Sequence, residues 1–101
     1  MKADQAIAEQ FINLIAKVDV SSGFKVASRD GCITFNKDDS RLAADPAPMA
    51  QRITKNLGVR MDYYIHNGLE YAWDLPGDRR MFFVAKEWGE IEFGLLDFKA
   101  Q

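Results

Sequence analysis

From Val59 to Leu96 apolar and polar side chains largely alternate, and turn-forming residues break the alternation at His66-Asn67-Gly68, Pro76-Gly77-Asp78 and Trp88-Gly89. A period of two sends successive side chains to opposite faces of a strand, a pattern a helix cannot use. Four strands are therefore expected, at 59 to 65, 69 to 75, 80 to 86 and 90 to 96. Their short connections make neighbours antiparallel.

The first connection sets the register. A two-residue Asn67-Gly68 loop would pair His66 with Leu69 and put Asp62 opposite Trp73, mixing polar and apolar faces. A three-residue loop, His66-Asn67-Gly68, with Gly68 as the left-handed residue of a bulge, instead pairs Ile65 with Leu69, Tyr63 with Tyr71, Met61 with Trp73 and Val59 with Leu75. The opposite face then receives Tyr64 with Glu70, Asp62 with Ala72, and Arg60 with Asp74 as a cross-strand ion pair. Strand 80 to 86 carries Met81, Phe83 and Ala85 on one side and Phe82 and Val84 on the other, which marks an interior strand. Strand 90 to 96 alternates Ile91, Phe93 and Leu95 with Glu90, Glu92 and Gly94, so one of its faces should meet water.

Upstream, residues 4 to 18 place Ile7, Phe11, Leu14, Ile15 and Val18 at helical spacing, with Glu9, Gln10, Asn13 and Lys17 elsewhere on the wheel. Ser21-Ser22-Gly23 stops this helix. A hairpin follows, in which Asp30-Gly31 as a two-residue loop pairs Arg29 with Cys32, Ser28 with Ile33 and Val26 with Phe35. Residues 36 to 45 read as a polar loop. Asp45-Pro46 then opens a second helix, with Met49, Ala50, Ile53 and Leu57 inward and Asn56 or Gly58 as its stop.

Together these elements predict an α+β fold: helix, two strands, helix and a four-strand meander, giving an antiparallel sheet of about six strands with helices packed on one face. At 101 residues the chain is expected to be a single domain, 1 to 101. The element order resembles that of profilin-like and roadblock-type domains and of secretion-chaperone folds. That resemblance is one of order alone and implies no activity.

Several function classes lose support on composition. With 48% hydrophobic and 28% charged residues the chain reads as globular. Thirteen Lys and Arg against fifteen Asp and Glu leave a net charge of -2, without the basic excess of a nucleic-acid binder. Arg79 and Arg80 lie near Lys86 and the aromatics Trp73, Phe82, Phe83 and Trp88, a mixture that can grip single strands. Most of those rings are expected to point inward. The longest apolar run, Met81 to Ala85, is too short for a membrane helix. Met1-Lys2-Ala3-Asp4-Gln5 leads into spaced apolar residues rather than a signal core, and Cys32 has no partner for a disulfide, so a cytoplasmic location is expected.

Metal and cofactor chemistry has little to draw on. Zinc would need about four Cys or His ligands, and the chain has only Cys32 and His66. Asn36, Asp38 and Ser40 have calcium-loop spacing, but Arg41 occupies the glycine position and Ala47 the closing glutamate position. The glycines form no phosphate loop. No cofactor is expected.

Three ionisable candidates remain. His66 titrates near neutrality but sits at a hairpin tip, without a pocket or fixed partner. Cys32 would need a base and an electropositive setting to act as a nucleophile, for which neighbouring Arg29 and Lys25 give only weak support. Glu90 and Glu92 project from one face about 7 Å apart along a strand, within catalytic carboxylate range, yet such alternation also keeps an exposed face soluble.

The sheet face turned from the helices is the leading candidate site. It carries Tyr64, Ala72, Phe82 and Val84, with Arg60, Glu70 and Asp74 as a polar rim. The alternative is that the loop from 36 to 45, or Leu96-Asp97-Phe98, folds over it. The expected function is a non-enzymatic protein-interaction module binding a protein partner or itself as a homodimer. Immunity proteins, chaperones, inhibitors and mobile-element accessory proteins have this character. The alternative is a small-ligand-binding domain with a pocket between the second helix and Trp73, Tyr63 and Tyr71.

Overall fold

The computed structural model describes residues 2–65 and 68–97. In chain order the elements are α1 (Lys2–Ala16), β1 (Lys25–Arg29), β2 (Cys32–Asp38), α2 (Ser40–Ala44), α3 (Ala47–Leu57), β3 (Asp62–Ile65), β4 (Gly68–Leu75), β5 (Arg79–Lys86) and β6 (Glu90–Asp97). Among the described residues the fold is α+β, with three helices and one antiparallel sheet in the order β1-β2-β6-β5-β4-β3. β6 thus lies between β2 and β5, joining the first hairpin to the later strands.

The first hairpin has the register its turn dictates. Arg29 pairs with Cys32, Ser28 with Ile33 and Val26 with Phe35, while Asp30 (φ 51°) and Gly31 (φ 78°) both take the left-handed conformation of a two-residue turn. Between β3 and β4, Ile65 pairs with Leu69, Tyr63 with Tyr71, Tyr64 with Glu70 and Asp62 with Ala72. The connection through His66 and Asn67 lies outside the described residues. The ladder begins at Asp62, however, so Met61 and Val59 do not pair with Trp73 and Leu75.

That shorter strand overturns the expected Arg60–Asp74 pair. Asp74 lies opposite Arg80 on β5, and the Arg80 guanidinium donates to Asp74 Oδ1 at 3.2 Å. Arg60 precedes the ladder and is exposed. The strand on the other side of Asp74 supplied the nearer cation.

The helices differ from expectation in rotation and number. α1 buries Ala8, Ile12 and Ala16, with Phe11 and Ile15 at the margin and Val18 packed just beyond its end, and leaves Ile7 and Leu14 exposed. The stripe is rotated because small residues at the contact let a helix approach its neighbours closely, which large side chains prevent. The expected polar loop from 36 to 45 is instead the end of β2 followed by α2. Asp39 caps α2, its Oδ1 accepting from the Leu42 N–H at 3.0 Å. Asp45 closes α2 rather than opening α3, whose first residue is Ala47. α3 turns Met49, Ala50 and Ile53 inward and ends at Gly58, whose N–H returns to the Thr54 carbonyl.

The core lies between these helices and one sheet face. Across β2, β6, β5 and β4 the register aligns Phe35, Phe93, Phe83 and Tyr71, all buried. Phe83 stacks on Phe93 with centroids 4.8 Å apart, and Tyr71 stacks on Phe83 at 6.1 Å. Trp73 is fully buried, its indole N–H donating to Thr54 Oγ1 at 2.8 Å. Among the described residues no helix is long and apolar enough to cross a membrane.

On the opposite face, Phe82 pairs with Gly94 and lays its ring over the glycine, where an added methyl would overlap the ring carbons. Gly94→Ala should therefore cost about 1–3 kcal/mol through overpacking, read as a lower urea midpoint. In a Phe82→Ala background the same substitution should cost much less. Equal costs in the two backgrounds would mean that the ring is not what excludes the methyl.

Candidate functional site: the open face of the sheet

Alternation along the strands assembles this face in rows. Reading from β4 to β1, one row holds Ala72, Phe82, Gly94, Thr34 and Ala27. A second holds Glu70, Val84, Glu92, Asn36 and Lys25. A third holds Asp74, Arg80, Leu96, Cys32 and Arg29. Phe82, Val84 and Leu96, all half-buried, form an apolar strip that crosses the three rows, with Glu70 and Glu92 beside Val84 and the Arg80–Asp74 pair beside Leu96.

The expected partner residues divide accordingly. Phe82 and Val84 lie in the strip. Ala72 has no exposed surface and underlies the strip rather than offering contact area. Glu70 and Asp74 flank it, while Arg60 stands outside the β3–β4 ladder. Tyr64 is opposite Glu70 by register, but its side chain lies outside the described residues. Leu96 was missed, although it stands on the same side as Gly94 in the alternation of β6.

Among the described residues, neither segment considered as a cover crosses the strip. α2, in the former loop region, sends Leu42 and Ala43 to the helix-side core. Leu96 and Asp97 continue β6 in register with Cys32 and Arg79, and Phe98 lies outside the described residues.

The carboxylate pair is tied into an ionic ladder. Lys86 Nζ donates to Glu90 Oε1 at 2.9 Å and lies 3.9 Å from Glu92 Oε2, which also accepts from Asn36 Nδ2 at 2.9 Å. The Lys86 hydrogen bond holds the Glu90 carboxyl below its usual range. Burial opposes this, and the Lys86 charge, a hydrogen bond from Trp88 and the Lys25 charge reinforce it. A carboxyl so held is a poor proton donor at neutral pH. Burial, aided by the Glu92 charge, pushes the Cys32 thiol upward, the opposite of an activated nucleophile. His66 lies outside the described residues.

The expected aromatic pocket involves Trp73, Tyr71 and Tyr63. Trp73 and Tyr71 are core residues beneath the helices, and the Tyr63 side chain lies outside the described residues. Open clefts occur elsewhere on the helix side. One of about 570 Å³ is lined by Ser40, Ala43, Leu69, Ala85 and Trp88. Another of about 560 Å³ is lined by Ile7, Ser28, Ile33, Arg79 and Leu95.

A depressed folded pKa at Glu90 contributes stability that is present above its unfolded value, about 4.3, and lost as pH falls through the folded value. Lys86→Met should raise the Glu90 pKa in a carboxyl NMR titration and shrink the acid-side loss of stability. An unchanged Glu90 titration would mean that Lys86 does not set it.

No family model, curated protein or solved structure matches this chain.

Proposed function

We propose that the protein is a non-enzymatic protein-interaction module that binds a protein partner or a second copy of itself through the open face of its sheet. The observation that carries this reading is the half-buried strip of Phe82, Val84 and Leu96, with charged residues on both sides and no described segment crossing it. An apolar centre within a polar rim is the usual anatomy of a protein interface, and a central aromatic is the usual energetic anchor. Phe82 occupies that place.

The same observations favour this over the small-ligand reading, because Trp73 is bonded to Thr54 of α3 and Tyr71 is buried in the core. They favour it over catalysis, because Glu90 and Glu92 are engaged by Lys86 and burial pushes the Cys32 thiol away from ionisation. A lone thiol suits a reducing compartment, and the reading assigns the module to the cytoplasm. Immunity proteins, chaperones, inhibitors and mobile-element accessory proteins all work in this manner, without a cofactor.

Phe82 shields Gly94, so Val84 is the better residue to test. Val84→Lys places an ammonium opposite Glu70 on β4 and Glu92 on β6, which the fold should accept while the strip loses its apolar continuity. Self-association in sedimentation equilibrium, or capture of a protein from native extract, should weaken at least tenfold with the variant. Wild-type protein that stays monomeric at high concentration and captures nothing the variant loses would overturn the reading.

A further inference from the structure

The second surface open to a partner is the outer edge of β1. Every residue of β1 is exposed, and no described strand lies beyond it in the sheet. In a two-residue hairpin the residues flanking the turn exchange both backbone hydrogen bonds, so Arg29, Ala27 and Lys25 spend theirs on Cys32, Thr34 and Asn36. The N–H and C=O of Val26 and Ser28 therefore point outward, along the free edge.

The side chains give that edge two chemistries. Lys25, Ala27 and Arg29 stand on the open face, and Val26 and Ser28 stand on the helix side. Val26 is 40% exposed, and on α1 Ile7 is 57% and Leu14 72% exposed. The cleft of about 560 Å³ is lined by Ile7, Ser28 and Ile33 together with Asp4, Asp30 and Asp97. Arg29 has Asp30 at 3.5 Å in a contact with both side chains open to solvent, and Lys25 lies in the field of Glu90.

A second copy is a poor occupant. Antiparallel self-pairing centred on Ala27 sets Lys25 against Arg29 at both ends, a like-charge arrangement that disfavours the ladder. The charges fit a strand of opposite sign.

We propose that β1 is the docking edge for an extended acidic segment of a partner protein, which adds to the sheet as a further antiparallel strand. Its carboxylates lie opposite Lys25 and Arg29, and its apolar side chains lie opposite Val26 and Ser28, facing Ile7 and the cleft. This surface is distinct from the Phe82 strip and does not depend on it.

The probe is a blocked pentapeptide, Glu-Val-Thr-Val-Glu, titrated at millimolar concentration into isotopically labelled protein, with Lys-Val-Thr-Val-Lys as its charge-reversed counterpart. The acidic peptide should shift the amides of Val26 and Ser28 and slow their exchange, and the basic one should bind at least tenfold more weakly. The Lys25→Glu, Arg29→Glu double variant should invert that preference. Val26→Pro removes an outward donor that β2 does not use, and it should abolish binding while amide signals elsewhere persist. Equal response to both peptides, no response at β1, shifts confined to the Phe82 strip, or unchanged binding by Val26→Pro would each overturn the proposal. A Val84→Lys protein that still binds the acidic peptide separates failure of the sheet-face reading from failure of this one.

Discussion

The stack of Phe83 on Phe93 is the contact on which the rest of the domain depends. It joins β5 to β6 at the middle of the sheet, and Phe35 and Tyr71 extend it to the flanking strands. This continuous aromatic layer gives α1 and α3 something broad to sit on, and they meet it with small or compact residues: Ala8, Ile12 and Ala16 from α1, Ala50 and Ile53 from α3. Burial of such rings supplies both the area and the geometry that hold a small core together. Trp73 adds a polar pin, since its indole N–H would otherwise be buried without the Thr54 hydroxyl as acceptor.

The sequence revealed most where local chemistry allowed one solution. Asp30-Gly31 permits both residues of a two-residue turn to take positive φ, and the ladder behind it follows without further freedom. The β3–β4 register was legible because only one alignment sorted Tyr63 and Tyr71 from Tyr64 and Glu70. Helix rotation was not. Residue size draws attention to Ile7 and Leu14, whereas the contact is made by Ala8 and Ala16, which become informative only once the neighbouring surface is known. Asp39 capping Leu42 was a readable signal for α2, hidden by the polarity of its surroundings. Of the candidate site, Phe82 and Val84 followed from alternation, while the burial of Ala72 and the capture of Asp74 by Arg80 required the neighbouring strands.

The two interaction surfaces differ in kind. The open face carries cations and anions interleaved, as in Lys86 between Glu90 and Glu92 or Arg80 beside Asp74. Such a face projects little field and discriminates by shape and apolar contact. The β1 edge offers two cations and directed backbone groups, so attraction there falls with ionic strength while binding to the strip does not. Salt concentration thus distinguishes the two modes on one molecule.

The position of β6 has a further consequence, for the order in which the domain comes together and apart. Asn36 on β2 and Glu92 on β6 meet across 56 positions of chain, whereas the neighbouring strand connections are short. The β1–β2 hairpin and the later strands can each form on the timescale of local structure, but their joining must await closure of the long intervening segment. In the folded protein the same topology makes the seam between β2 and β6 the hairpin's strand-to-strand attachment to the rest of the sheet, with β1 uncovered outside it. Amide protection should accordingly rise in steps from β1 through β2 to β6, so that the molecule behaves as a firm block of later strands carrying a looser hairpin at its margin.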